Sequence, residues 1–581
     1  MNFRSAAAAA VLVALVPLAA CTGSNVPESP AQQLAADKRT FSSTDPVTRG
    51  CALSKQILLR IWRGHDPKRS EDITMVPQYP DYSGTFVVPN HSGPWKYLQQ
   101  VPLVLYGPGR IAANGQVQDP ASVVDIYPTV AQLLDASVAP RGGRVLSSAL
   151  TGASGVPKLV MVIVWDGAGR DMLQRWPDAW PNLARLERQG TSYLNATIGS
   201  SPSITPATHS SIGTGVYPHV HGVVGIKYRA SNGKVANAFS GRTTAIERVT
   251  TFSDQIDKDY GNAPLMGMMA WRSWHMGMFS HGSEIPGGDQ DQLALIGHGK
   301  ITGNPTYYSM PTYLEHFPGL KEEGAKLDRA DGKVDGKWMG HDILSMHDNP
   351  AWVNYEADAE LAMLKREGYG TDDVPDIFMT NFKMTDIVGH EFGMDQPEEQ
   401  GVLHAQDVAL GRILDFLKHK VKDYAVVLTA DHGHTPSPKR TGGWPIANGE
   451  IKRDIDTHFD VPSGETLSDD TSAVGVFLNY DEMKKLGISE DDIARYLNGY
   501  TLAENWPQKK LPAGYEDRGD EQLFSAVFAK DQFNDVMKCA FGSTRPPKGL
   551  GEPSPSPPSS TEALQATPAL APSSEPSTPS P

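Results

Sequence analysis

Cysteine is scarce in this chain, with three residues among 581. That number excludes a small domain held together by a dense disulfide framework. Basic residues are also in deficit, since 52 Lys and Arg face 67 Asp and Glu, a formal net charge of −15. A surface of that sign disfavours binding to nucleic acid or to anionic membranes, so we expect no nucleic-acid-binding surface. The hydrophobic content of 39% is nevertheless sufficient for a sizeable core.

Beyond its first twenty residues the chain also lacks any apolar run long enough to cross a bilayer. Residues 1–21 combine Arg4, the uncharged run Ala6 to Ala20 and a following cysteine, and they resemble a bacterial lipoprotein signal with lipidation at Cys21. An ordinary secretory signal is the alternative. Either signal predicts an exported protein, and lipidation would anchor it to the bacterial cell membrane.

The segments next to the two ends lack the residues that build a core. Residues 22–49 are small and polar, and we predict a flexible tether there. The tail 546–581 is dominated by Pro, Ser, Thr and Ala. Such a segment cannot bury enough apolar surface to offset the entropy of ordering, so we expect it to be disordered.

Between these segments, strand patterns alternate with helix patterns. Apolar runs predict strands, several of them buried on both faces, at 101–106, 158–165, 191–198, 376–382 and 424–429. Helices are predicted at 122–134, 180–189 and 396–420. This order predicts an α/β fold around a largely parallel sheet. Residues 232–350, rich in Gly, Met, Trp and His, are predicted to be an inserted cap region.

Acidic residues follow three of the predicted buried strands. Asp166 follows the first, Asp386 and His390 follow the second, and the adjacent pair Asp431 and His432 follows the third. The carboxyl ends of parallel strands are where such folds place their sites. Carboxylate oxygens and imidazole nitrogens together suit zinc or a similar divalent ion, so the sequence predicts a metal site at this edge.

Thr205 begins a turn that leads into a helix. The exposed N–H groups and the dipole at a helix N-terminus favour an anion such as phosphate. A threonine hydroxyl is a poor nucleophile unless a base or a metal deprotonates it. Taken alone, Thr205 fits an N-cap as well as a nucleophile, and the neighbouring candidate metal ligands favour the nucleophile.

These motifs together resemble the alkaline phosphatase superfamily, in its branch of nucleotide pyrophosphatase/phosphodiesterases and threonine-dependent phosphatases. The resemblance rests on the order of the acidic motifs, on the run Thr205–Gly215 (TPATHSSIGTG) and on Tyr217–Gly222 (YPHVHG). It implies a three-layer α/β sandwich and a phosphatase or phosphodiesterase that acts through a phospho-threonine at two metal ions, most simply zinc. The Cys/Ser-x-Pro-x-Arg run of the related sulfatases is absent.

The resemblance also implies a ligand set. Asp166, Thr205, Asp431 and His432 would hold one metal, whereas Asp386, His390 and a third histidine would hold the other. Relatives carry that third histidine well downstream of the Asp-His-Gly motif, followed by a Val-Pro-Leu strand and a helix containing Pro-Thr. Here that passage occurs early, starting at His91, and continues through 101–107 and 124–129. We expect His91 to be the ligand, with His458 as the alternative.

An early third histidine implies that the chain is circularly permuted. Residues 50–145 would correspond to the C-terminal part of the family's catalytic domain, and 156–545 to its main part. Because relatives run continuously through the join, the two ends should meet, as natural termini often do. Cys51 and Cys539 flank that join, so a disulfide between them is implied. The alternative is two unpaired cysteines.

Substrate choice is less defined by the sequence. Diesterase relatives place an asparagine about twenty residues after the nucleophile, and this chain has Ile226 there. Candidate phosphate-binding residues are Arg272, Lys227 and Arg229, with Asn232 as a further possibility, although each also fits a solvated surface position. The histidines at 275, 281, 298, 316, 341 and 347 are interpreted as residues of the cap region.

Three functions are therefore considered. The first is an exported metal-dependent phosphoric-ester hydrolase that acts on a small phosphate ester. The second is a phosphotransferase or phosphonate hydrolase of the same fold. The third is a non-catalytic surface binding protein, which the complete ligand set disfavours.

Overall fold

The computed structural model describes residues 41–87, 89–137, 141–297, 299–343, 348–508 and 510–547. All of them lie in one compact unit, Arg39–Pro581, whereas the unit Met1–Lys38 lies outside them. The predictions for the signal segment, for Cys21 and for most of the tail 546–581 therefore concern residues outside the described ranges. Within those ranges, no helix is both long and apolar enough to cross a membrane.

Nineteen strands lie in the described ranges. In chain order they are β1 (Ile73–Pro77), β2 (Tyr82–Ser83), β3 (Leu103–Tyr106), β4 (Gly115–Ser122), β5 (Leu159–Trp165), β6 (Thr191–Thr197), β7 (Lys227–Arg229), β8 (Val235–Asn237), β9 (Met266–Trp271), β10 (Gln292–Gly297), β11 (Lys300–Thr302), β12 (Lys337–Trp338), β13 (His341–Asp342), β14 (Asp376–Phe382), β15 (Tyr424–Thr429), β16 (Pro445–Ile446), β17 (Ser468–Ser472), β18 (Gly475–Leu478) and β19 (Phe524–Ala529).

Eighteen α-helices lie in the same ranges. They are α1 (Pro46–Cys51), α2 (Lys55–Gly64), α3 (Lys96–Gln99), α4 (Ile126–Leu133), α5 (Arg170–Arg175), α6 (Pro181–Gln189), α7 (Thr205–Thr214), α8 (Pro218–His221), α9 (Phe252–Tyr260), α10 (Leu320–Asp328), α11 (Pro350–Arg366), α12 (Met384–Glu391), α13 (Pro397–Phe416), α14 (Pro438–Thr441), α15 (Asn448–His458), α16 (Tyr480–Leu486), α17 (Glu490–Gly499) and α18 (Phe533–Phe541).

A nine-stranded sheet forms the centre of the fold, in the order β11-β10-β9-β14-β5-β15-β3-β6-β4. β5 lies parallel between β14 and β15, and β3 and β11 run opposite to the other strands. Every residue of β5, β14 and β15 is buried, so both faces of the sheet are covered. Helices α6, α11 and α13 pack together in one layer, and α4, α7 and α9 pack together in another. The predicted three-layer α/β fold is confirmed.

The span 232–350 differs from its prediction as an inserted cap. Three of its strands, β9, β10 and β11, belong to the central sheet, and β9 pairs directly with β14. The sequence of β9 is MGMMAW, and methionine and glycine are not typical of strands, which explains why the pattern concealed it. All six residues of β9 are buried. The remaining parts of the span decorate the sheet rather than form a separate cap.

A second, four-stranded antiparallel sheet has the order β17-β18-β1-β19. β1 from the N-terminal part of the chain lies between β18 and β19, and it aligns with β19 from Ile73 opposite Ala529 to Pro77 opposite Phe524. This sheet has its own apolar core, which includes Ile73, Val527 and Leu478. The two ends of the chain therefore build one structure.

The end of the predicted tether is ordered. Helix α1 begins at Pro46, capped by the Asp45 side chain, and it places Arg49 in a fully buried position. The Arg49 guanidinium donates hydrogen bonds to backbone carbonyl oxygens of Ser525, Phe524 and Asn498. Because these acceptors belong to the C-terminal strand and its neighbouring helix, residues 46–49 are part of the fold and not of a tether.

One disulfide joins the two ends. Cys51, at the end of α1, is bonded to Cys539 in α18, with the Cα atoms 5.6 Å apart and 488 positions between them in the sequence. The geometry lies in the ordinary range of disulfides. It fixes the N-terminal helix against the last helix of the described chain.

Candidate functional site

Three buried carboxylates meet at the carboxyl ends of the central strands. Asp166 follows β5, Asp431 follows β15 after one residue, and Asp386 lies in the first turn of α12, just after β14. Each is at most 3% exposed. One oxygen of each, Asp166 Oδ1, Asp386 Oδ1 and Asp431 Oδ2, is buried without a hydrogen-bond partner among the described residues. A buried carboxylate oxygen with no partner is strongly unfavourable, so these oxygens suit a bound cation.

Three histidines face this group with a defined ring orientation. In His91, His390 and His432 the Nδ1 atom lies 3.0 to 3.1 Å from a backbone carbonyl oxygen. Since a carbonyl can only accept, each Nδ1 donates its proton, and each Nε2 keeps its lone pair. Nδ1–H bonded to a backbone carbonyl is the arrangement that orients a histidine to bind metal through Nε2.

The Nε2 atoms approach the carboxylates at distances that suit shared metal ions. Asp386 Oδ1 is 3.3 Å from Nε2 of His91 and 3.4 Å from Nε2 of His390. His432 Nε2 is 3.3 Å from Asp431 Oδ2 and 3.5 Å from Asp166 Oδ1. Two ligand atoms that are each about 2.0–2.1 Å from a tetrahedral zinc lie roughly 3.3–3.4 Å apart. The donor set therefore fits divalent metal.

Besides a group of Asp166, His209 and His275, the possible ligand atoms form two groups that share Asp386. One contains His91, Asp386 and His390, and the other contains Asp166, Asp386 and His432, with all ligand atoms of a group within 4.8 Å of one another. Both groups lie at the same edge of the sheet. The early histidine and the later motifs are thus brought together in one place.

Thr205 is the first residue of α7 and is 3% exposed. Its Oγ1 lies 3.4 Å from Nε2 of His432, so the hydroxyl faces the same group of ligands. The helix has ten residues and places its N-terminal N–H groups beside this hydroxyl. That end of a helix favours negative charge, such as the oxygens of a phosphoryl group.

Lys383 is a residue of this site that the sequence motifs did not indicate. Its Nζ lies 3.0 Å from Asp166 Oδ2 and 2.6 Å from Asp386 Oδ2. Burial raises the pKa of both carboxyls, but the charge of Lys383 and the contacts of nearby histidines together outweigh burial and hold each pKa below its ordinary value. Burial and repulsion by Asp166 raise the pKa of Asp431 well above its ordinary value. One lysine does not balance three carboxylates.

His275 corrects the interpretation of that histidine as a cap residue. It lies just beyond β9, and its Nε2 lies 3.0 Å from Asp166 Oδ2. Asn381, at the end of β14, donates to the same oxygen over 3.2 Å. Had β9 been recognised as a strand of the sheet, the rule that sites lie at carboxyl ends would have included His275.

His434 has no role among the predicted ligands. The structure buries it beside the site, with Nε2 4.0 Å from Asp386 Oδ1 and its ring 5.0 Å from that of His390. Neither ring nitrogen has a hydrogen-bond partner among the described side chains. A Cβ on Gly389 would lie 2.6 Å from the ring, so the glycine gives it room.

The alternative ligand His458 lies away from these residues. It ends α15 and its ring stacks on Tyr496 at a centroid distance of 3.9 Å. Of the remaining cap histidines, His281 contacts Asp254 and His341 contacts Glu398. Positions 298 and 347 lie outside the described residues.

The three candidate phosphate-binding residues have different surroundings. Lys227 lies 2.6 Å from Asp470, and Arg229 contacts Asp72 and Asp469. Both residues therefore connect β7 to the four-stranded antiparallel sheet. Both side chains therefore contact carboxylates in the structure. Arg272 instead follows β9 at the edge that carries the site, and its side chain is exposed. Its φ of 57° is rare for a residue with a side chain and marks a sharp bend there.

Solved structures show the same class of fold. The crystal structure of the alkaline phosphatase PafA matches with a TM-score of 0.51 and 18% sequence identity, over 65% of this chain and 85% of that chain. At this identity the likeness concerns the fold alone. The chain has an alkaline-phosphatase-like α/β fold.

The family model for type I phosphodiesterase/nucleotide pyrophosphatase matches residues 160–479, more than half of the chain. The chain belongs to this family. An uncharacterised pyrophosphatase/phosphodiesterase of Schizosaccharomyces pombe is 23% identical over 369 residues, 63% of this chain and 61% of the relative. Alkaline phosphatase PafA of Elizabethkingia meningoseptica is 26% identical over 347 residues, 50% of this chain and 62% of the relative. The matches span about three fifths of these relatives.

Proposed function

We propose that this chain is a phosphoric-ester hydrolase that uses Thr205 as its nucleophile at a site for two divalent metal ions. The observation that carries the proposal is the position of the Thr205 hydroxyl, which faces unpartnered carboxylate oxygens and oriented histidine nitrogens at the N-terminus of α7. Family membership supports the class of reaction.

The residues that would hold the metals are those that the family resemblance implies, and the two groups of ligand atoms support most of them. Asp386, His390 and His91 would hold one ion, and Asp166, Asp431, His432 and Thr205 the other. Zinc suits this mixture of imidazole and carboxylate donors. When bound, two such ions would lower the pKa of the threonine hydroxyl and neutralise charge on the attacking and leaving oxygens.

The chain's own residues then define the course of the reaction. Thr205 Oγ attacks phosphorus as the bond from phosphorus to the leaving oxygen breaks, and the threonine becomes phosphorylated. Water cleaves the phospho-threonine in a second displacement, which releases phosphate and restores the hydroxyl. The N-terminal N–H groups of α7 stabilise the phosphoryl oxygens in both steps. Asp166 is held in place by His275, Asn381 and Lys383 throughout.

Arg272 is the remaining candidate for binding the phosphate group. It lies three positions before His275, which contacts Asp166, and its guanidinium is free of carboxylate partners among the described residues. An arginine suits this role because its planar fork donates two hydrogen bonds to phosphate oxygens. Ile226 occupies the position of the diesterase asparagine, so another side chain, such as Arg272, would have to hold the phosphate oxygen.

The test compares the purified protein with its Thr205→Ala and Thr205→Ser variants on a phosphate monoester, a phosphate diester and a phosphonate. We expect Thr205→Ala to lower monoester turnover by at least roughly 10³-fold while both metals stay bound, because the other ligands remain. Thr205→Ser keeps a hydroxyl and should retain measurable turnover.

The alternative functions give different results in this test. Faster release of phosphate from the phosphonate than from the monoester would indicate a phosphonate hydrolase. Transfer of the phosphoryl group to an added alcohol without release of phosphate would indicate a phosphotransferase. Full activity of Thr205→Ala would refute the threonine nucleophile, and failure to bind any divalent metal would favour a binding protein.

We also propose that the protein is exported and anchored through Cys21, which lies outside the described residues. The Cys51–Cys539 disulfide supports this location, because disulfides persist in oxidising compartments outside the cytosol. The anchor would be tested by mass spectrometry of the membrane-extracted protein, where a lipid-modified Cys21 is expected at the N-terminus. A mature N-terminus without lipid would indicate an ordinary secretory signal.

Finally, we infer that the chain is circularly permuted relative to its family. His91 joins ligands that lie far downstream in the sequence, and β1 is inserted between β18 and β19. The disulfide and the buried Arg49 connect the two ends at the place where unpermuted relatives would run continuously. These contacts are what a relocated C-terminal segment requires.

A further inference from the structure

A second group of acidic side chains lies apart from the residues described above. It consists of Asp257 in α9 and of Asp289 and Asp291 in the chain that leads into β10, and we call it the acidic cluster. One oxygen from each residue lies within 4.8 Å of the other two. The residues come from two segments that are more than thirty positions apart, so the fold and not the local sequence assembles the cluster.

Two members of the acidic cluster are deeply buried. Asp257 and Asp291 are each 5% exposed, whereas Asp289 is exposed and opens the cluster to solvent. Asp257 Oδ1 has no hydrogen-bond partner among the described residues. Asp291 Oδ2 accepts a hydrogen bond from the Ser280 hydroxyl. A buried carboxylate oxygen left without a donor lacks the compensation that such groups need.

No lysine or arginine in the described ranges forms an ion pair with any of the three. The nearby Asp254 adds further negative charge, and it is itself bonded to His281 at 2.6 Å. Burial, followed by repulsion from the neighbouring aspartates, raises the pKa of Asp257 to about 9. Burial, followed by repulsion from Asp289, raises the pKa of Asp291 to about 8, although the Ser280 hydrogen bond opposes this. The three carboxylates of the cluster therefore have no lysine or arginine partner among the described residues.

We propose that the acidic cluster is a binding site for a hard divalent cation of the Ca²⁺ type, separate from the catalytic metals. Three carboxylates without imidazole or thiolate are the donors that Ca²⁺ prefers, and backbone carbonyls and water would complete its coordination. The exposed Asp289 gives the ion a path from solvent. The site goes beyond the proposed hydrolase function and does not depend on it.

The position of the acidic cluster gives the cation a structural role. It joins the last turns of α9 to the segment before β10, and β9 lies between these two elements in the sequence. β9 carries Arg272 and His275 at its end. An ion at the acidic cluster would therefore brace the two segments that flank this strand, outside the site itself.

The experiment uses protein loaded with zinc and freed of calcium, and it measures Ca²⁺ binding by calorimetry together with Tm at pH 8. We expect the wild type to bind one Ca²⁺ per chain and to gain Tm with millimolar Ca²⁺. The double variant Asp257→Asn with Asp291→Asn should lose both responses, because it has lost two of three carboxylates. Asp520→Asn, at an exposed aspartate elsewhere, is the matched control and should behave as the wild type.

Three results would overturn the proposal. They are the absence of Ca²⁺ binding by the wild type, equal Ca²⁺ binding by the double variant, and a wild type whose Tm is unaffected by Ca²⁺. In the last case a shared proton would be what compensates the carboxylates. If the double variant does not fold, Asp289→Asn keeps the test valid, since that exposed residue should lower the Ca²⁺ affinity at least about tenfold without disturbing the core. Unchanged affinity in that variant would also count against the site.

Discussion

At the scale of single residues, His91 brings an early segment of the sequence into contact with a motif far downstream. Its Nδ1 is bound to a backbone carbonyl, and its Nε2 faces Asp386 at 3.3 Å. A histidine held in this way is oriented before any ion arrives. The ligand set is therefore built on a segment that the chain supplies nearly 300 positions earlier than Asp386.

His91→Ala tests this connection. We expect the variant to bind about one metal ion less per chain and to lose at least about 100-fold in kcat/KM, because one ion loses a nitrogen ligand. Metal analysis and monoester turnover measure both effects. His458→Ala is the control, since that ring stacks on Tyr496 away from the site, and it should keep wild-type activity. Normal metal content in His91→Ala would remove His91 from the ligand set.

Lys383 contacts two of the buried carboxylates. It fixes the second oxygen of Asp166 and of Asp386, so it sets how their other oxygens point. We expect Lys383→Met to lower kcat by about 10–100-fold with little change in KM, because positioning residues around metal ligands have effects of this size.

The same variant should respond more strongly to metal. Without Lys383 the three carboxylates have no positive partner until metal binds, so metal should raise the Tm of Lys383→Met by more than it raises that of the wild type. Lys326→Met, which removes an exposed lysine paired with Glu323, is the control. Equal metal-induced shifts in wild type and Lys383→Met would mean that Lys383 does not compensate these charges.

The sequence was sufficient to propose all seven candidate ligands, because strand ends and spacing carry that information. It was insufficient for Lys383. A lysine directly after a buried strand is usually a surface residue, and only the folded distance to both Asp166 and Asp386 shows otherwise. For Lys227 and Arg229 the structure adds ion pairs with aspartates far away in the sequence, which no local pattern shows.

At the scale of elements, α7 owes its position to a close contact with the turn Ser273–Met278, which carries His275. Gly213 allows this contact, because a Cβ there would lie 2.5 Å from the Gly277 carbonyl oxygen and 2.7 Å from Met278 Cα. Because residue 213 has no side chain, the helix that begins with Thr205 can pack closely against the turn that supports Asp166.

Gly213→Ala should destabilise the protein by about 1–3 kcal/mol, since backbone atoms must move and the better helix propensity of alanine is too small to compensate. Activity should fall as well, because Thr205 and His275 shift relative to each other. Gly449→Ala, in a helix with no atom near the new Cβ, should leave stability unchanged or slightly higher. Urea unfolding and monoester turnover of both variants measure this, and equal midpoints would contradict the proposed close contact.

Elements with strongly periodic or continuous apolar sequences were predicted to within a few residues, as β5, β14 and α6 show. β9 was missed because its sequence, MGMMAW, has no β-branched residue and gains its strand conformation from pairing with β14. Tertiary pairing, which no local pattern contains, also determined that 292–297 joins the central sheet.

At the scale of the whole molecule, the two ends of the chain stabilise each other through one covalent bond and one sheet. Reduction of Cys51–Cys539, or the paired change Cys51→Ser and Cys539→Ser, should lower the free energy of unfolding by about 2–5 kcal/mol, because the unfolded chain regains freedom over a very long loop. The urea midpoint measured with and without reductant checks this. The serine variant should be insensitive to reductant. A wild type that unfolds identically in both conditions would show that the ends are held by the sheet alone.

The four-stranded sheet combines strands that are synthesised at very different times. β1 leaves the ribosome early, yet one of its neighbours, β18, is made late, and the other, β19, is among the last elements of the fold. β1 therefore has no partner strand on either edge while most of the polypeptide is produced. The sheet closes only after translation is almost finished.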